Sequence, residues 1–274
     1  MTGLEGRTAL VTGAGTAVGA VVARTLAGQG AKVIGVDAEA VDDLADAEWS
    51  SGGLIEVETV DVSDFAASDD LIQRLTANGR QLDIVVNAAS LAAAGSQGTL
   101  FEIEEKQWDA GIDVCLKSAF NVSRHAASYW RTNRDKPYRL VNMIEPSGLF
   151  GAQVEVDRQA ALMALVGFTY SCANALGRYG VTSNILVPMG STPEGMAEVG
   201  SVAAYLASPE SDWINGHVVA AGDGRVALIS NPEIEYEVVS TDEWTDQEVV
   251  DGLWRDLRRS VEHRPPAYAP VESL

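Results

Sequence analysis

The chain has 274 residues, 46% of them hydrophobic, and a formal net charge of −20. That is enough apolar material for one large core, and one α/β domain with an appendage is expected rather than two equal domains. The acidic balance lacks the basic face that nucleic acid phosphates require, and it disfavours an anionic membrane surface.

Cys115 and Cys172 sit in apolar stretches, so a reduced setting is expected rather than a disulfide scaffold. The three histidines are scattered without metal-ligand spacing, and no metal centre is expected. The opening MTGLEGRTAL has no charged-then-apolar signal pattern, and no apolar run reads as long enough to span a bilayer. A soluble cytoplasmic protein without membrane or nucleic acid partners is the expectation.

Along the chain, short apolar, β-branched runs recur: TALVT, KVIGV, LIEVETV, DIVVNAA, YRLVNMI, SNILVP and HVVAAG. Each is too short for a helix and apolar enough to be buried on both faces of a sheet. Longer amphipathic or Ala-rich segments separate them; the first, AVGAVVARTLAGQG, ends on Gly30. This alternation predicts a doubly wound, Rossmann-type parallel seven-stranded sheet with helices on both faces, over residues 1–228.

The first strand runs into VTGAGTAVGAVVA, a glycine turn that opens a helix and lets backbone amides approach a pyrophosphate. Asp37 closes the second strand, where a carboxylate binds ribose hydroxyls and repels a 2′-phosphate, favouring NAD over NADP. Thr192 reads as an N-cap and Pro193 as the first residue of the helix after SNILVP, so the link from Pro188 is short. Past Leu228 the pattern changes. Residues 229–274 read as an extension with an amphipathic helix at about 245–260, opened by a Thr245–Glu248 capping box, and a Pro-rich arm at 263–270.

In this order, TGAGTAVG resembles the TGxxxGxG turn of the short-chain dehydrogenase/reductase family. VDVSD is similar to its adenine-side pair, VNAAS to its NNAG strand end and WDAGIDVCLKSAF to the helix that normally reads WDxxxxVNLKG. RLVNMIEPSGLFG, YGVTSNILVP and VAAYLASPESDWINGHVVAAGDG extend the likeness, which runs from about Gly6 to Leu228. The resemblance implies an NAD-binding fold with Gly13, Val18, Gly19, Asp37, Asp61, Val62 and Asn87 as cofactor residues. Ala17 stands for a family glycine, Ala88 and Ser90 alter the NNAG end, and Met189 replaces the glycine after Pro188.

The resemblance also implies four chemical roles: a tyrosine that exchanges a proton with the substrate oxygen, a lysine that tunes it and holds the ribose, a serine for the carbonyl and an asparagine for proton relay. Those positions hold Arg158, Leu162, Glu145 and Cys115, and no Tyr-x-x-x-Lys exists anywhere in the chain. Arginine cannot serve as acid or base. Glu145 and Arg158 are expected to pair and plug the spot, Ser147 to serve a turn, and Cys115 to be buried and unreactive. The family's long lid is cut to MGST.

The leading expectation is a catalytically inactive family member, with no catalytic residue of its own. It would pair as a heterodimer or heterotetramer with an active short-chain dehydrogenase, or with itself, through the small-residue helices Gly111 to Ser128 and Leu162 to Leu176. The extension loosely resembles those of relatives acting on hydroxyacyl-CoA or steroid-type substrates. Two alternatives stand beside it: an enzyme with atypical chemistry based on Glu145, and a dinucleotide or small-molecule sensor.

Overall fold

The computed structural model describes residues 3–41, 44, 53–92, 99–134, 136–152, 154–234, 245 and 247. The expected helix at 245–260 and the arm at 263–270 lie outside them, apart from Thr245 and Gln247. The chain divides into the units Met1–Ile229 and Ser230–Leu274, and the architecture below is that of the first.

Strands β1 (Thr8–Thr12), β2 (Lys32–Asp37), β3 (Leu54–Thr59), β4 (Ile84–Asn87), β5 (Tyr138–Met143), β6 (Val181–Pro188), β7 (Val218–Gly222) and β8 (Arg225–Ile229) form one sheet in the order β3-β2-β1-β4-β5-β6-β7-β8. Every pairing from β3 through to β7 is parallel. Strands β4, β5 and β7 are buried along their whole length, which is why their sequences are apolar without alternation.

Helices α1 (Ala17–Gly28) and α7 (Pro193–Ala207) cover one face, where Val22, Leu26, Val199 and Ala203 pack with Val11, Val86 and Leu186. On the other face lie α2 (Phe65–Thr76), α3 (Glu105–Ile112), α4 (Ser118–Thr132), the single turn α5 (Ser147–Phe150) and α6 (Val156–Leu176). Leu71, Val122 and Trp130 fill one part of that layer, and Leu162, Leu165 and Ile185 another. A π-turn at Asp113–Lys117 joins α3 to α4 and carries Cys115.

Two expectations are corrected. The sheet has eight strands, not seven: β8 returns antiparallel beside β7, and the boundary drawn at residue 228 falls inside it. Asp223 and Gly224 both adopt positive φ (51° and 78°), the geometry of a two-residue hairpin turn, so the Asp-Gly pair between two apolar runs was the signal. The second concerns membranes. Val156–Tyr179 is long and apolar enough to cross one by length and composition. Its inner face is the core described above, with Leu162 and Leu165 fully buried, while Ala160, Met163, Ala164, Gly167 and Ser171 face outward.

Candidate functional site

The strand order reverses between β1 and β4, and in such sheets the crevice beyond the carboxyl ends of these strands is where ligands sit. The turn after β1 shapes it. Thr16 Oγ1 donates to the Gly13 carbonyl (2.8 Å) and accepts from Gly19 N (2.9 Å), capping α1. Gly13 has φ +66°, and a Cβ there would lie 2.6 Å from the Ala88 backbone, so only glycine closes the turn against the end of β4. Thr12 Oγ1 accepts from Ala88 N and Ala89 N, tying the same two strand ends together.

Asp37 ends β2 beside this turn. Its Oδ2 accepts from Gly15 N (2.9 Å) and its Oδ1 from Ala38 N (2.8 Å). Two backbone amides therefore hold the carboxylate at the rim, and each oxygen keeps a lone pair for a ligand hydroxyl. Across from it, Asp61 Oδ1 accepts from Ser63 N and Oγ, and Asn121 Nδ2 donates to the carbonyls of Val62 and Ser63, fixing that loop. A cavity of about 70 Å³ lies between these groups, lined by Gly13, Asp37, Asp61, Val62, Ala89 and Val114 among others. It shares Asp37, Ala38 and Ala92 with a wider cleft of about 610 Å³ rimmed by Gly15, Thr16 and Ala17.

Of the residues expected to hold cofactor, Gly13, Asp37, Asp61 and Val62 thus converge. Gly19 is buried beneath the turn, where a Cβ would meet the Gly13 carbonyl oxygen at 2.1 Å, and half-buried Val18 packs on the core. Asn87 lines neither cavity. Its Nδ2 donates to Ser123 Oγ (3.0 Å) and Asn142 Oδ1 (2.8 Å), and Asn142 in turn donates to Thr169 Oγ1, a buried polar ladder inside the domain. The residues fit the adenosine half of a dinucleotide: a glycine cradle, a held carboxylate and a side cavity.

The four positions assigned to chemistry also come together, beyond β4 and β5 and along α6. Arg158 Nη2 donates to Glu145 Oε1 (2.5 Å) and to the Ser90 carbonyl (3.2 Å). Its Nη1 lies 3.9 Å from Glu155 Oε2. The expected Glu145–Arg158 pair is therefore formed, with the guanidinium buried and the carboxylate half-exposed. Leu162 is fully buried, and a Cβ on Gly148 would touch its Cβ at 2.6 Å. Cys115 is fully buried, its Sγ 3.8 Å from the same Ser90 carbonyl. Burial raises the Cys115 thiol to about 11, with Arg158 opposing and Asp157 and Glu145 adding to the rise. A neutral thiol of this kind is no nucleophile. Ser147 opens α5, and its Oγ accepts from Gln159 Nε2 (3.3 Å).

Three features escaped the sequence. Glu155 takes a left-handed backbone (φ 60°) at the start of α6, a conformation nothing in its residue type announces. Ser90 matters through its carbonyl, which any residue supplies. Asp223, at the hairpin turn, accepts from Ser191 N (3.0 Å), Ser191 Oγ (2.7 Å) and Thr192 Oγ1 (3.1 Å), clamping the short link between β6 and α7. The caps read for α7 hold: Thr192 Oγ1 accepts from Gly195 N, and Pro193 is the first helical residue. Among the described residues no group of His, Cys, Asp and Glu could hold a metal ion.

Comparison with known proteins bears on the family and the fold. A sequence model described as short chain dehydrogenase matches residues 7–201. The chain is 32% identical to the hydroxyacyl-CoA dehydrogenase ChsB1 of Mycobacterium tuberculosis, covering 85% of this chain and 83% of that one. It is 29% identical to the (2S)-[(R)-hydroxy(phenyl)methyl]succinyl-CoA dehydrogenase subunit BbsD of Thauera aromatica, covering 81% and 98%. The crystal structure of a short chain dehydrogenase from Mycobacterium avium superposes with a TM-score of 0.83 at 27% identity, covering 97% and 99%.

Proposed function

This chain belongs to the short-chain dehydrogenase family of oxidoreductases, and we propose that it acts there as a non-catalytic subunit that pairs with an active short-chain dehydrogenase of a CoA ester. The observation that carries this reading is the Glu145–Arg158 ion pair, formed between the two positions that the resemblance aligns with the family's serine and tyrosine. Proton exchange with an alcohol or carbonyl needs a group whose pKa lies near the working pH. Arginine stays charged, Leu162 has no proton to give, and the Cys115 thiol is held far above neutrality. An NAD or NADP cofactor, the family's usual group, supplies a hydride acceptor or donor when bound. Here Gly13, Asp37, Asp61 and Val62 would hold its adenosine half.

Two features support the partner role. The outward stripe Ala160, Met163, Ala164, Gly167 and Ser171 on α6 is small and apolar enough for another helix to approach closely, and a Cβ on Gly167 would meet nothing within 4 Å. Phe120 of α4 and Phe65 of α2 are also exposed on this layer, 6.4 Å apart between ring centroids. The substrate class follows the relatives, two of which are named for CoA esters and one of them as a subunit. A reading with Glu145 as base is disfavoured, because its carboxylate is already bound to a buried cation.

The test is co-expression with the related dehydrogenase encoded nearest to it. Co-purification through both chains, turnover of a hydroxyacyl-CoA by the mixture, and none by this chain alone are expected. Turnover by the isolated chain at an ordinary enzymatic rate would overturn the proposal.

A further inference from the structure

We infer that the cleft recognises the adenosine diphosphate half of a dinucleotide and is indifferent to the nicotinamide half, so that ADP-ribose is as good a ligand as NAD+ or NADH. This rests on the reading above, that the proton-transfer groups are absent, and extends it to the ligand.

The two halves of the cleft offer different chemistry. On the adenosine side the groups are in place before any ligand arrives: Asp37 fixed by two backbone amides, the Val62–Ser63 loop fixed by Asn121, and a cavity between them. Such preorganised groups bind without an ordering cost. The 2′- and 3′-hydroxyls of an adenosine ribose meet a carboxylate there, whereas a 2′-phosphate meets a like charge. The diphosphate would meet the first turn of α1, whose N-terminus favours an anion, beside the Thr16 cap.

On the other side no such groups wait among the described residues. In the family, the lysine position holds the nicotinamide ribose; here it is Leu162, with no exposed surface and packed against Gly148. Arg158 donates to Glu145 and Ser90 of its own chain. Met189, after β6, donates its backbone N–H to the Ala221 carbonyl and packs its side chain on the core. A nicotinamide riboside reaching this end gains contacts without a dedicated hydrogen bond, and ordering it offsets them.

Titration calorimetry of the full chain with ADP-ribose, NAD+, NADH and NADP+ tests this. The first three are expected to agree within about threefold, and NADP+ to bind at least about tenfold more weakly. Asp37→Ala, at the surface and checked for an unchanged melting temperature, is expected to weaken the first three by one common factor of about tenfold. The inference is overturned if NAD+ or NADH binds tenfold or more tightly than ADP-ribose, if none of the four binds, or if Asp37→Ala separates NAD+ from ADP-ribose. None of those results touches the non-catalytic subunit, which stands or falls on turnover.

Discussion

At one end of the cleft a carboxylate, Asp37, is held by two backbone amides and presented to whatever enters. At the other a carboxylate, Glu145, is held by a buried guanidinium and turned to its own chain. The two ends lie beyond the tips of different strands, β1 and β2 for the first and β4 and β5 for the second, and differ in what makes them. The adenosine end is built from a turn, amides and a glycine that nothing else can replace at φ +66°, so the packing of α1 on the sheet preserves it. The other end is made by the side chains at 115, 145, 158 and 162, which pack or pair within the chain. Leucine at 162 fills the core, and cysteine at 115 packs beneath Ser90.

The contrast is sharpest at Leu162. If this position now serves only the core, Leu162→Ala should cost about 3 kcal/mol in urea unfolding and leave ADP-ribose affinity unchanged. A variant that is fully stable but binds nucleotide less well would mean that the two ends are not separate. Next comes the ion pair. Glu145→Ala leaves Arg158 buried with the Ser90 carbonyl and a distant Glu155, and a loss of about 2 kcal/mol is expected, moderated by the half-exposure of Glu145. An unchanged denaturation midpoint would show that the pair does not close the chemical end.

A smaller effect is carried by pH. The Cys115 thiol is raised from 9.0 to about 11, so above pH 9 the unfolded chain loses a proton that the folded chain retains. Stability must fall with rising pH in that window. From pH 9 to 10 the advantage of wild type over Cys115→Ala should shrink by about 1 kcal/mol in parallel unfolding curves. A constant difference would place the thiol in water. The smallest effect belongs to the clamp on the shortened link. Hydrogen bonds from the Ser191 side chain and backbone hold the Asp223 carboxyl below its ordinary 3.8. Its stabilising contribution is present above that value and disappears as pH falls through the lower folded one. The melting temperatures of wild type and Asp223→Asn should therefore converge in acid, and a gap that persists at pH 2 would contradict the clamp.

Much of this was readable from the chain. Runs such as TALVT and DIVVNAA fix strands because an apolar, β-branched stretch of that length has nowhere to go except between two helix layers. The turn TGAGTAVG and the acid at 37 were legible for the same reason that they meet in the structure, since residue type and order along the chain set both. The unlike residues at 115, 145, 158 and 162 were visible for the same reason. Asn87 was read from its place at a strand end; its side chain donates to Asn142 and Ser123, partners that only the packing of distant segments supplies.

Residue order and type thus determined the parallel sheet, the glycine turn after β1 and the residues that α6 offers at 158 and 162, because each is written in local spacing. Only the tertiary structure decided that Arg158 also binds the Ser90 carbonyl, that Glu155 begins α6 in a left-handed conformation, that Asp223 reaches back across 32 residues to hold Ser191, and that α6 turns a small-residue stripe outward. Those outcomes depend on distances between segments far apart in the chain, which packing sets and local sequence does not encode.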